Sequence, residues 1–310
     1  MIPFFSARHV EAAVPPERAY EAVRAAFVAH AQGEWTMQPK LYVTNYPAGD
    51  FRAMPALGGG HALLKWVTSF PRNPARGLPT VSGLVVLSNA ETGVVEALMD
   101  AGSVTALRTG AAAALAAETL GVPGGSAAVI GAGVNGRASA RSLKALGRDV
   151  SLWDVDGERA RSVAADLGVG VASSREDALG ADVVVTVTPG KQILLPPGSL
   201  RPGQHVSLMG ADGPGKAEIA VDEILRTSIY CDEWEQASHG GELAAAVEAG
   251  RITRADVTEL GAVLIGERSG RADVDEITIF DSTGLAIQDL AIAIAAYERA
   301  GELDLPLLDL

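Results

Sequence analysis

The sequence predicts an α/β protein with one doubly wound parallel-sheet domain and a second, discontinuous α/β domain. From Ser126 onward, apolar strand-like segments alternate with helix-like segments. A helix-breaking turn, GVPGG at 121–125, precedes that alternation. A long apolar helix follows the last predicted strand and is expected to pack back on the first domain. We therefore predict one domain over residues 1–120 with 284–310, and another over 121–283.

The first third of the chain mixes helices and strands. Residues 16–31 carry apolar side chains at helical spacing and are typical of an amphipathic helix. Alternating or β-branched runs predict strands over 41–46, 64–68 and 80–87. An alanine-rich helix is expected over 104–120, because alanine favours helix and lets neighbouring backbones approach closely.

The remainder predicts a parallel sheet with helices on both faces, because strands and helices alternate strictly there. The final helix is expected over residues 284–300. The predicted strands cover residues 127–130, 150–153, 183–188, 205–208, 229–231 and 277–280.

The chain is acidic, which limits the classes of partner. Its 310 residues include 38 acidic against 25 basic ones, a net charge of −13. Such a chain repels phosphate backbones and anionic lipid, so we expect neither nucleic acid nor membrane as partner. The single cysteine, Cys231, predicts a reducing compartment and leaves no cysteine-based metal cluster. No targeting segment or membrane span is recognisable, and we expect a cytoplasmic protein without a metal site.

A glycine-rich turn follows the strand predicted at 127–130. Gly131, Gly133 and Gly136 form G-x-G-x-x-G, with Val134 and Asn135 between the last two. The first glycine makes a tight turn, the second lets the backbone approach a pyrophosphate, and the third allows close packing of helix and strand. The helix that starts there presents free N–H groups to a phosphate. The pattern predicts a dinucleotide site.

Acidic residues after the next strand indicate which dinucleotide binds. Asp154 and Asp156 follow the strand predicted at 150–153, and Asp154 lies at the spacing of about 20 residues typical of a ribose-binding carboxylate. A carboxylate there accepts hydrogen bonds from the ribose and repels a 2′-phosphate. NAD is therefore favoured over NADP. Arg159 and Arg161 are the counterargument, since an arginine nearby can hold that phosphate.

The chain resembles the ornithine cyclodeaminase/mu-crystallin family, and within it the archaeal-type alanine dehydrogenases. This resemblance implies a Rossmann domain beside a discontinuous α/β domain that binds substrate and forms a homodimer. It also implies hydride exchange between a nicotinamide and the α-carbon of an amino acid, through an imine. The matching stretches are GDFRAMPAL (49–57), LKWV (64–67), GLPTV (77–81), ALRTGAAA (106–113), GAGVNG (131–136), GADGPGK (210–216), EQASHGGE (235–242) and ITIFDSTGLAIQDLA (277–291).

The resemblance places three cations, Arg52, Lys65 and Arg108, in the substrate pocket. Arginine grips a carboxylate with two parallel hydrogen bonds, which suits the carboxylate of an amino acid. Arg108 precedes Thr109 on a helix that the resemblance turns toward the cofactor, so both are also candidate cofactor residues. Lys65 lies in an apolar strand, where burial and neighbouring cations lower a lysine pKa. In the alanine dehydrogenases that the chain resembles, this lysine is the proposed proton donor and acceptor.

The strand predicted at 205–208 leads to a second candidate catalytic residue. Asp212 follows that strand, at a carboxyl strand end where open α/β sheets bind ligands. In the cyclodeaminases this aspartate is catalytic, and here it is a candidate to orient water or ammonia. The alternative is a turn residue, because Asp-Gly-Pro-Gly is strong turn chemistry. Lys216 is a candidate contact to the cofactor.

Two further strand ends carry candidate cofactor residues. Thr188 ends the strand predicted at 183–188. Ser282 lies in the loop 281–284 before the last helix, and that loop either closes over the nicotinamide or caps the helix.

One departure from the family pattern selects among the family's activities. In ornithine cyclodeaminases, the position of Arg52 holds a glutamate that receives the substrate's distal amine. Arginine repels that cation, and the archaeal-type alanine dehydrogenases carry it too. The resulting hypothesis is NAD-dependent interconversion of L-alanine with pyruvate and ammonia. The alternatives are a ketimine reductase or an N-alkyl amino acid dehydrogenase, then an ornithine cyclodeaminase or a non-catalytic mu-crystallin-like binding protein. The partners would be a small amino acid, or a 2-oxo acid with an amine.

Overall fold

The computed structural model describes residues 1–190, 192–213 and 215–309, which form two compact units. Unit 1 comprises Met1–Arg108 and Leu285–Leu310, and unit 2 comprises Thr109–Gly284. The first boundary falls inside the alanine-rich helix and not in the turn at 121–125, where the sequence predicts it. The second part of that helix belongs to unit 2, because a Cβ on Gly110 would lie 2.6 Å from the backbone of Ala138.

The strands of the described residues fall into two sheets, one in each unit. In chain order they are β1 (Ile2–Phe5), β2 (Thr36–Met37), β3 (Leu41–Asn45), β4 (Gly49–Gly58), β5 (His61–Ser69), β6 (Val81–Asn89), β7 (Val95–Asp100), β8 (Ala127–Ile130), β9 (Val150–Trp153), β10 (Gly170–Val171), β11 (Val183–Thr186), β12 (His205–Leu208), β13 (Ser228–Cys231), β14 (Val257–Glu259), β15 (Thr278–Asp281) and β16 (Leu307–Leu308).

The helices vary from single turns to one of 20 residues. In chain order they are α1 (Ala7–Ala13), α2 (Pro16–Ala31), α3 (Ala101–Leu120), α4 (Val134–Ala145), α5 (Gly157–Leu167), α6 (Arg175–Leu179), α7 (Val221–Ile224), α8 (Trp234–Gly240), α9 (Ala244–Glu248), α10 (Leu260–Leu264) and α11 (Ala286–Tyr297). Among the described residues, none of them is long and apolar enough to cross a membrane.

The sheet of unit 1 has two different faces. Its strand order is β16-β1-β7-β6-β5-β4-β2, with β3 also paired to β4, and all pairs are antiparallel except β1 with β7. In β5, alternate side chains at Leu63, Lys65 and Val67 are buried, whereas Leu64 and Trp66 are exposed. The period of two therefore gives a buried inner face and an exposed outer face.

Helix α11 covers part of the inner face. It packs against β4 and β5 and against α2. Ten of its twelve residues are buried, so the side chains it turns to the sheet are withdrawn from water. A charged side chain on the inner face of unit 1 is therefore removed from water and needs a partner.

The sheet of unit 2 is parallel and doubly wound. Its order is β10-β9-β8-β11-β12-β15-β13-β14, and every pair is parallel. The chain runs outward from β8 to β10, then returns and continues outward from β11. Ligands of such sheets bind at the carboxyl ends of the two strands that flank this reversal, here β8 and β11.

The predicted α/β class is confirmed, and most predicted elements are present with small shifts at their ends. α2, β8, β9 and β12 have the predicted bounds. The principal strand that the sequence did not predict is β4, which contains Gly49 and Pro55 and is as long as ten residues. Hydrogen bonds to β3 and β5 on its two sides hold this segment extended despite its low intrinsic strand propensity.

Candidate active site

Lys65 lies on the inner face of unit 1 and is 1% exposed. Its place in the alternation of β5 turns it inward, between the apolar neighbours Leu63 and Val67. Its Nζ donates a hydrogen bond of 2.8 Å to Oδ1 of Asp289 on α11. The lysine is therefore inside an apolar strand, as the sequence predicts. Its charge is paired there with a buried carboxylate.

Burial lowers the pKa of Lys65 from 10.5 to about 8. Removal from water disfavours the charged ammonium, and the nearby cations Arg108 and Arg52 lower the pKa further. The contact with Asp289 works in the opposite direction. As a result, the side chain changes protonation state within a range in which an enzyme can use it as acid and as base.

Arg108 stands near the same carboxylate. Its Nε lies 3.5 Å from Oδ1 of Asp289, beyond an ordinary N–H···O hydrogen bond, and its side chain is 12% exposed. That Nε is buried and has no hydrogen-bond partner among the described residues. An acceptor on a bound molecule would satisfy it.

Arg52 lies on the inner face of β4 and is paired with Asp50, two positions earlier on the same face. Its Nε is 2.6 Å from Oδ1 of Asp50, and its Nη2 is 3.4 Å from Oδ2. The guanidinium also lies over the ring of Tyr42, 5.3 Å from its centroid. The carboxylate of Asp50 thus offsets much of the charge of the Arg52 guanidinium.

Unit 1 therefore brings together the three predicted cations with two carboxylates. When all are ionised, Arg52, Lys65 and Arg108 exceed Asp50 and Asp289 by one positive charge. Because buried charges need partners, an anion with one negative charge would complete this set.

In unit 2, the glycine-rich turn connects β8 to α4. Gly131 has φ +110°, a backbone conformation that favours glycine, and a Cβ there would lie 2.7 Å from the carbonyl oxygen of Val187. A Cβ on Gly136 would lie 1.7 Å from the carbonyl oxygen of Gly131. At Gly133, by contrast, an added Cβ meets nothing within 4 Å.

The first turn of α4 begins at Val134 and continues with Asn135. Gly133 is the N-cap and supplies no capping side chain. The space beside it and the uncapped N–H groups fit a pyrophosphate, as the spacing predicts.

Asp154 follows β9 and supports the glycine-rich turn. Its Oδ2 accepts from the backbone N–H of Ala132 at 2.7 Å, and its Oδ1 accepts from that of Asp156 at 2.8 Å. Asp156 is half exposed and is the N-cap of α5. Arg159 lies 3.4 Å from Asp154 and 3.3 Å from Asp156, so its charge is offset by two carboxylates. These contacts weaken the case for Arg159 as a holder of a 2′-phosphate.

Thr188 lies two residues after β11 and is held by Glu218. The side chain of Glu218 accepts from both the N–H and the hydroxyl of Thr188, and from the hydroxyl of Thr186. Burial raises the pKa of Glu218. Thr188 thus follows one of the two strands that flank the reversal of the sheet, and its contact with a dinucleotide stays a prediction.

Asp212 and Lys216 form an ion pair after β12. Both side chains are about one-third exposed, so the carboxylate remains accessible to solvent. Pro214, within the predicted turn, lies outside the described residues.

Ser282 does not cap the last helix. Its hydroxyl donates to Asp232 at 3.2 Å, and Asp232 also accepts from the hydroxyl of Thr283 and the N–H of Gly284. The residue at the N-cap of α11 is Leu285, whose N–H donates to Gln288. The capping alternative is therefore wrong, because the hydroxyls of this loop are engaged by Asp232.

Thr109 is the first residue of unit 2 and is 2% exposed. Its place in α3, next to Gly110, follows the predicted helix. Its predicted contact with a cofactor stays a prediction.

With the glycine-rich turn and the buried lysine in place, one family accounts for the whole chain. The sequence model of the ornithine cyclodeaminase/mu-crystallin family matches residues 4–303. The chain belongs to this family.

Individual members of the ornithine cyclodeaminase/mu-crystallin family show which activities lie near this sequence. An alanine dehydrogenase of Archaeoglobus fulgidus is 42% identical over 94% of this chain and 92% of its own. The structure is similar to that of an archaeal alanine dehydrogenase dimer with bound NAD, with TM-score 0.91, 41% identity, and coverage of 97% and 96% of the two chains. It is also similar to the iminosuccinate reductase of Paracoccus denitrificans in complex with NAD+, with TM-score 0.89, 30% identity and 97% coverage of each chain.

Sequence reasoning missed four acidic side chains that hold the predicted residues: Asp50, Glu218, Asp232 and Asp289. Each is at most 5% exposed. For Asp289 a signal was available, because a carboxylate stands within the long apolar segment 285–297. For Glu218 and Asp232 no local pattern marks a buried partner, since their partners lie 30 and 50 positions away in sequence. Asp50 lies only two positions before Arg52 on the same strand face, so a local signal was available there too.

Proposed function

We propose that this chain is an NAD-dependent oxidoreductase that interconverts L-alanine with pyruvate and ammonia through an imine. The observation that carries the proposal is the buried cluster around Lys65, with its excess of one positive charge. It combines a clamp for one carboxylate with a group that exchanges protons near neutral pH, and oxidation of an amino acid at its α-carbon needs both.

In this proposal, the residues of unit 1 bind the substrate and move a proton. Arg108 holds the substrate carboxylate, and its unsatisfied Nε supports that role. Lys65 in its neutral form accepts a proton as the amino acid is oxidised, and in its ammonium form it donates one in the reverse direction. The low solvent exposure of both side chains strengthens these interactions relative to water.

The residues of unit 2 fit a dinucleotide, because the backbone at Gly133 is open while Gly131 and Gly136 are closely packed. The N–H groups at Val134 and Asn135 would hold the pyrophosphate, and Asp154 or Asp156 the ribose. NAD, when bound, supplies or accepts the hydride. Asp212, partly exposed beside Lys216, would orient water or ammonia for addition to the imine carbon.

The pairing of Arg52 with Asp50 supports a small, uncharged substrate side chain. A distal ammonium on the substrate would be repelled by the Arg52 guanidinium. A distal carboxylate would find the Nε and Nη2 of that guanidinium already hydrogen-bonded to Asp50. This favours alanine over ornithine and over a dicarboxylic amino acid.

A second candidate function is reduction of a preformed imine. Its support is the similarity to the iminosuccinate reductase, which is 34% identical over 94% of this chain. The same clamp and proton donor serve either reaction, so the choice between them depends on the amine.

We also infer that the protein is a homodimer formed through the outer face of the unit 1 sheet. Val43 on β3 is 50% exposed and Leu64 on β5 is 44% exposed, and both lie on that face with Trp66. A similar archaeal enzyme is a dimer. Contiguous apolar surface of this kind is typical of an interface.

The deciding experiment follows NADH oxidation with pyruvate plus ammonia, with pyruvate plus methylamine and, in parallel, with a cyclic ketimino acid alone. The series is repeated with oxaloacetate in place of pyruvate and with NADPH in place of NADH. The highest kcat/KM with pyruvate, ammonia and NADH is expected. A tenfold preference for methylamine, for the cyclic imine or for oxaloacetate would instead identify an imine reductase or a dicarboxylate enzyme.

The role of Lys65 is tested by Lys65→Ala. Turnover is expected to be lost, because no other lysine lies on the inner face among the described strands of unit 1, while NADH binding is retained. Lys144→Ala is the matched control, since Lys144 bonds to backbone carbonyls at Leu167 and Gly168 in unit 2. Turnover by Lys65→Ala comparable to that of the control would contradict the proton-transfer role.

A further inference from the structure

Asp289 is an unusual residue for its helix. On α11, its neighbours Ile287 and Leu290 are apolar and fully buried, Gln288 is a buried amide, and Asp289 itself is 0% exposed. A carboxylate removed from water in this way costs several kcal/mol unless paired. The presence of this carboxylate in the core of unit 1 therefore depends on the groups that pair with it.

The partners of Asp289 are two of the three cations in the substrate cluster. Oδ1 accepts a hydrogen bond of 2.8 Å from Nζ of Lys65 and lies 3.5 Å from Nε of Arg108. Oδ2 is buried and has no hydrogen-bond partner within residues 1–190, 192–213 and 215–309. A pair built only for stability would satisfy both oxygens, and apolar side chains of similar volume would often serve stability as well.

Among the described residues, charged side chains reach the surroundings of Lys65 from α3, β4 and α11. Arg108 on α3 and Arg52 on β4 are cationic, and the Asp50 carboxylate is engaged by Arg52. Asp289 on α11 is the carboxylate in direct contact with the lysine. Without it, the two arginines would disfavour an ammonium at Lys65, and Asp50 would be the remaining carboxylate of the cluster.

We propose that Asp289 positions Lys65 and keeps it protonated near neutral pH, so that the lysine can act as proton donor in the reductive direction. The role of Lys65 as proton donor rests on the proposed function, but the interaction between Asp289 and Lys65 does not. Asp289 is a positioning residue, because it acts on the reaction through Lys65.

The geometry gives Asp289 two effects on Lys65. It fixes one N–H of Nζ at 2.8 Å, which orients the remaining two N–H groups of the ammonium. It also adds a negative charge that opposes the burial and the two arginines. The second effect depends on the carboxylate charge, so the amide of asparagine is expected to lose it while nearly preserving the shape and an acceptor oxygen.

The direct test measures the protonation of Lys65 by NMR of protein labelled with 13C at lysine Cε. The chain has five lysines, Lys40, Lys65, Lys144, Lys191 and Lys216, so the spectrum is simple, and Lys65→Ala assigns the resonance. In Asp289→Asn, the Lys65 resonance is expected to titrate about 1 pH unit or more lower than in the wild type. Asp289→Glu, which retains the charge, is expected to restore part of that difference.

The matched control is Glu298→Gln, just beyond the last turn of α11. Glu298 pairs with Arg18 at 2.6 Å and is exposed, so this change also replaces a paired carboxylate by an amide. It is expected to leave the Lys65 titration unchanged. An unchanged Lys65 titration in Asp289→Asn, or an equal change in Glu298→Gln, would overturn the proposal.

Thermal unfolding shows whether Asp289→Asn folds, and Asp289→Ser is the second neutral variant if it does not. The kinetic readout is the pH at which reductive kcat/KM declines, which is expected to move down with the NMR titration. A merely structural role would lower kcat/KM without moving that pH. If the protein reduced no 2-oxo acid or imine at all, the proposed function would fail, while the NMR comparison would still decide whether Asp289 controls Lys65.

Discussion

At the scale of single residues, the site is built from pairs in which a predicted cation meets a carboxylate. Lys65 has Asp289 and Arg52 has Asp50, and all four side chains are at most 10% exposed. Pairing lets the protein keep charges inside a low-dielectric environment, where they act strongly on a bound anion. The protonation of the lysine is then set by the balance of burial and neighbouring charges.

The pKa of Lys65, lowered to about 8 by burial, predicts the pH dependence of the reaction. Reduction needs the ammonium form, so its kcat/KM is expected to fall as pH rises through about 8. Oxidation needs the neutral amine, so its kcat/KM is expected to rise with pH and to level above the same value. Initial rates at saturating cofactor over a wide pH range measure both limbs.

The substrate amine also titrates in this experiment, and the variant Asp289→Asn separates the two groups. A limb that belongs to the free amine is the same in the variant and the wild type, whereas a limb that belongs to Lys65 moves. Rates that do not change with pH around 8 in either direction would contradict the assignment of Lys65 as acid and base.

At the scale of elements, the loops after parallel strands place the candidate cofactor residues. Gly131 follows β8, Asp154 follows β9 and Thr188 follows β11. Parallel strands end at the same edge of the sheet, so residues far apart in sequence meet there. Buried carboxylates such as Glu218 then fix the loops by accepting from their N–H groups and hydroxyls.

Two glycines of one turn are expected to respond differently to the same substitution. Gly133→Ala adds a methyl group where nothing lies within 4 Å, so the free energy of unfolding should change by less than about 0.5 kcal/mol. Because that space is the proposed pyrophosphate position, NADH affinity should fall about tenfold or more, or about 1.4 kcal/mol. Fluorescence titration with NADH and denaturant unfolding measure the two quantities.

Gly136→Ala is the comparison. Its new Cβ would lie 1.7 Å from the carbonyl oxygen of Gly131, so the turn must move and stability should fall by about 2 to 3 kcal/mol. If Gly133→Ala bound NADH as well as the wild type, the pyrophosphate would not lie at that glycine.

At the scale of the whole molecule, the chain forms two units that carry different candidate functional groups. Unit 1 has the paired cations on the inner face of its sheet, and unit 2 has the glycine-rich turn and the strand-end loops. The outer face of the unit 1 sheet is apolar and exposed, although the opposite face of the same strands carries the site. Successive residues of β5 therefore lie alternately on the proposed dimer interface and on the face that carries Lys65.

A charge on the outer face is expected to separate the dimer. Val43→Glu places a carboxylate on β3, where dimerisation would remove it from water without a designed partner. Size-exclusion chromatography with light scattering should give the mass of two chains for the wild type and of one chain for the variant.

Val274→Glu is the control for this change. Val274 is 73% exposed in unit 2, so the same substitution there should leave the dimer intact. A wild-type protein with the mass of one chain, or a dimeric Val43→Glu, would contradict the proposed interface.

The parallel sheet of unit 2 and the position of its glycine-rich turn could be predicted from the sequence alone. Both are local: strand and helix periods alternate along the chain, and Gly131, Gly133 and Gly136 are close in sequence. The family also followed from contiguous motifs. Lys65 stood out because a cation in an apolar strand violates the local pattern.

The tertiary fold determines which charges meet. Asp289 contacts Lys65 across 224 positions of sequence, and Asp232 engages Ser282 across 50. It also decided that β4 is a strand, since hydrogen bonds to β3 and β5 outweigh the propensities of its glycine and proline. Periodicity reports the conformation that a segment prefers. These contacts arise from packing between segments, about which a local sequence pattern carries no information.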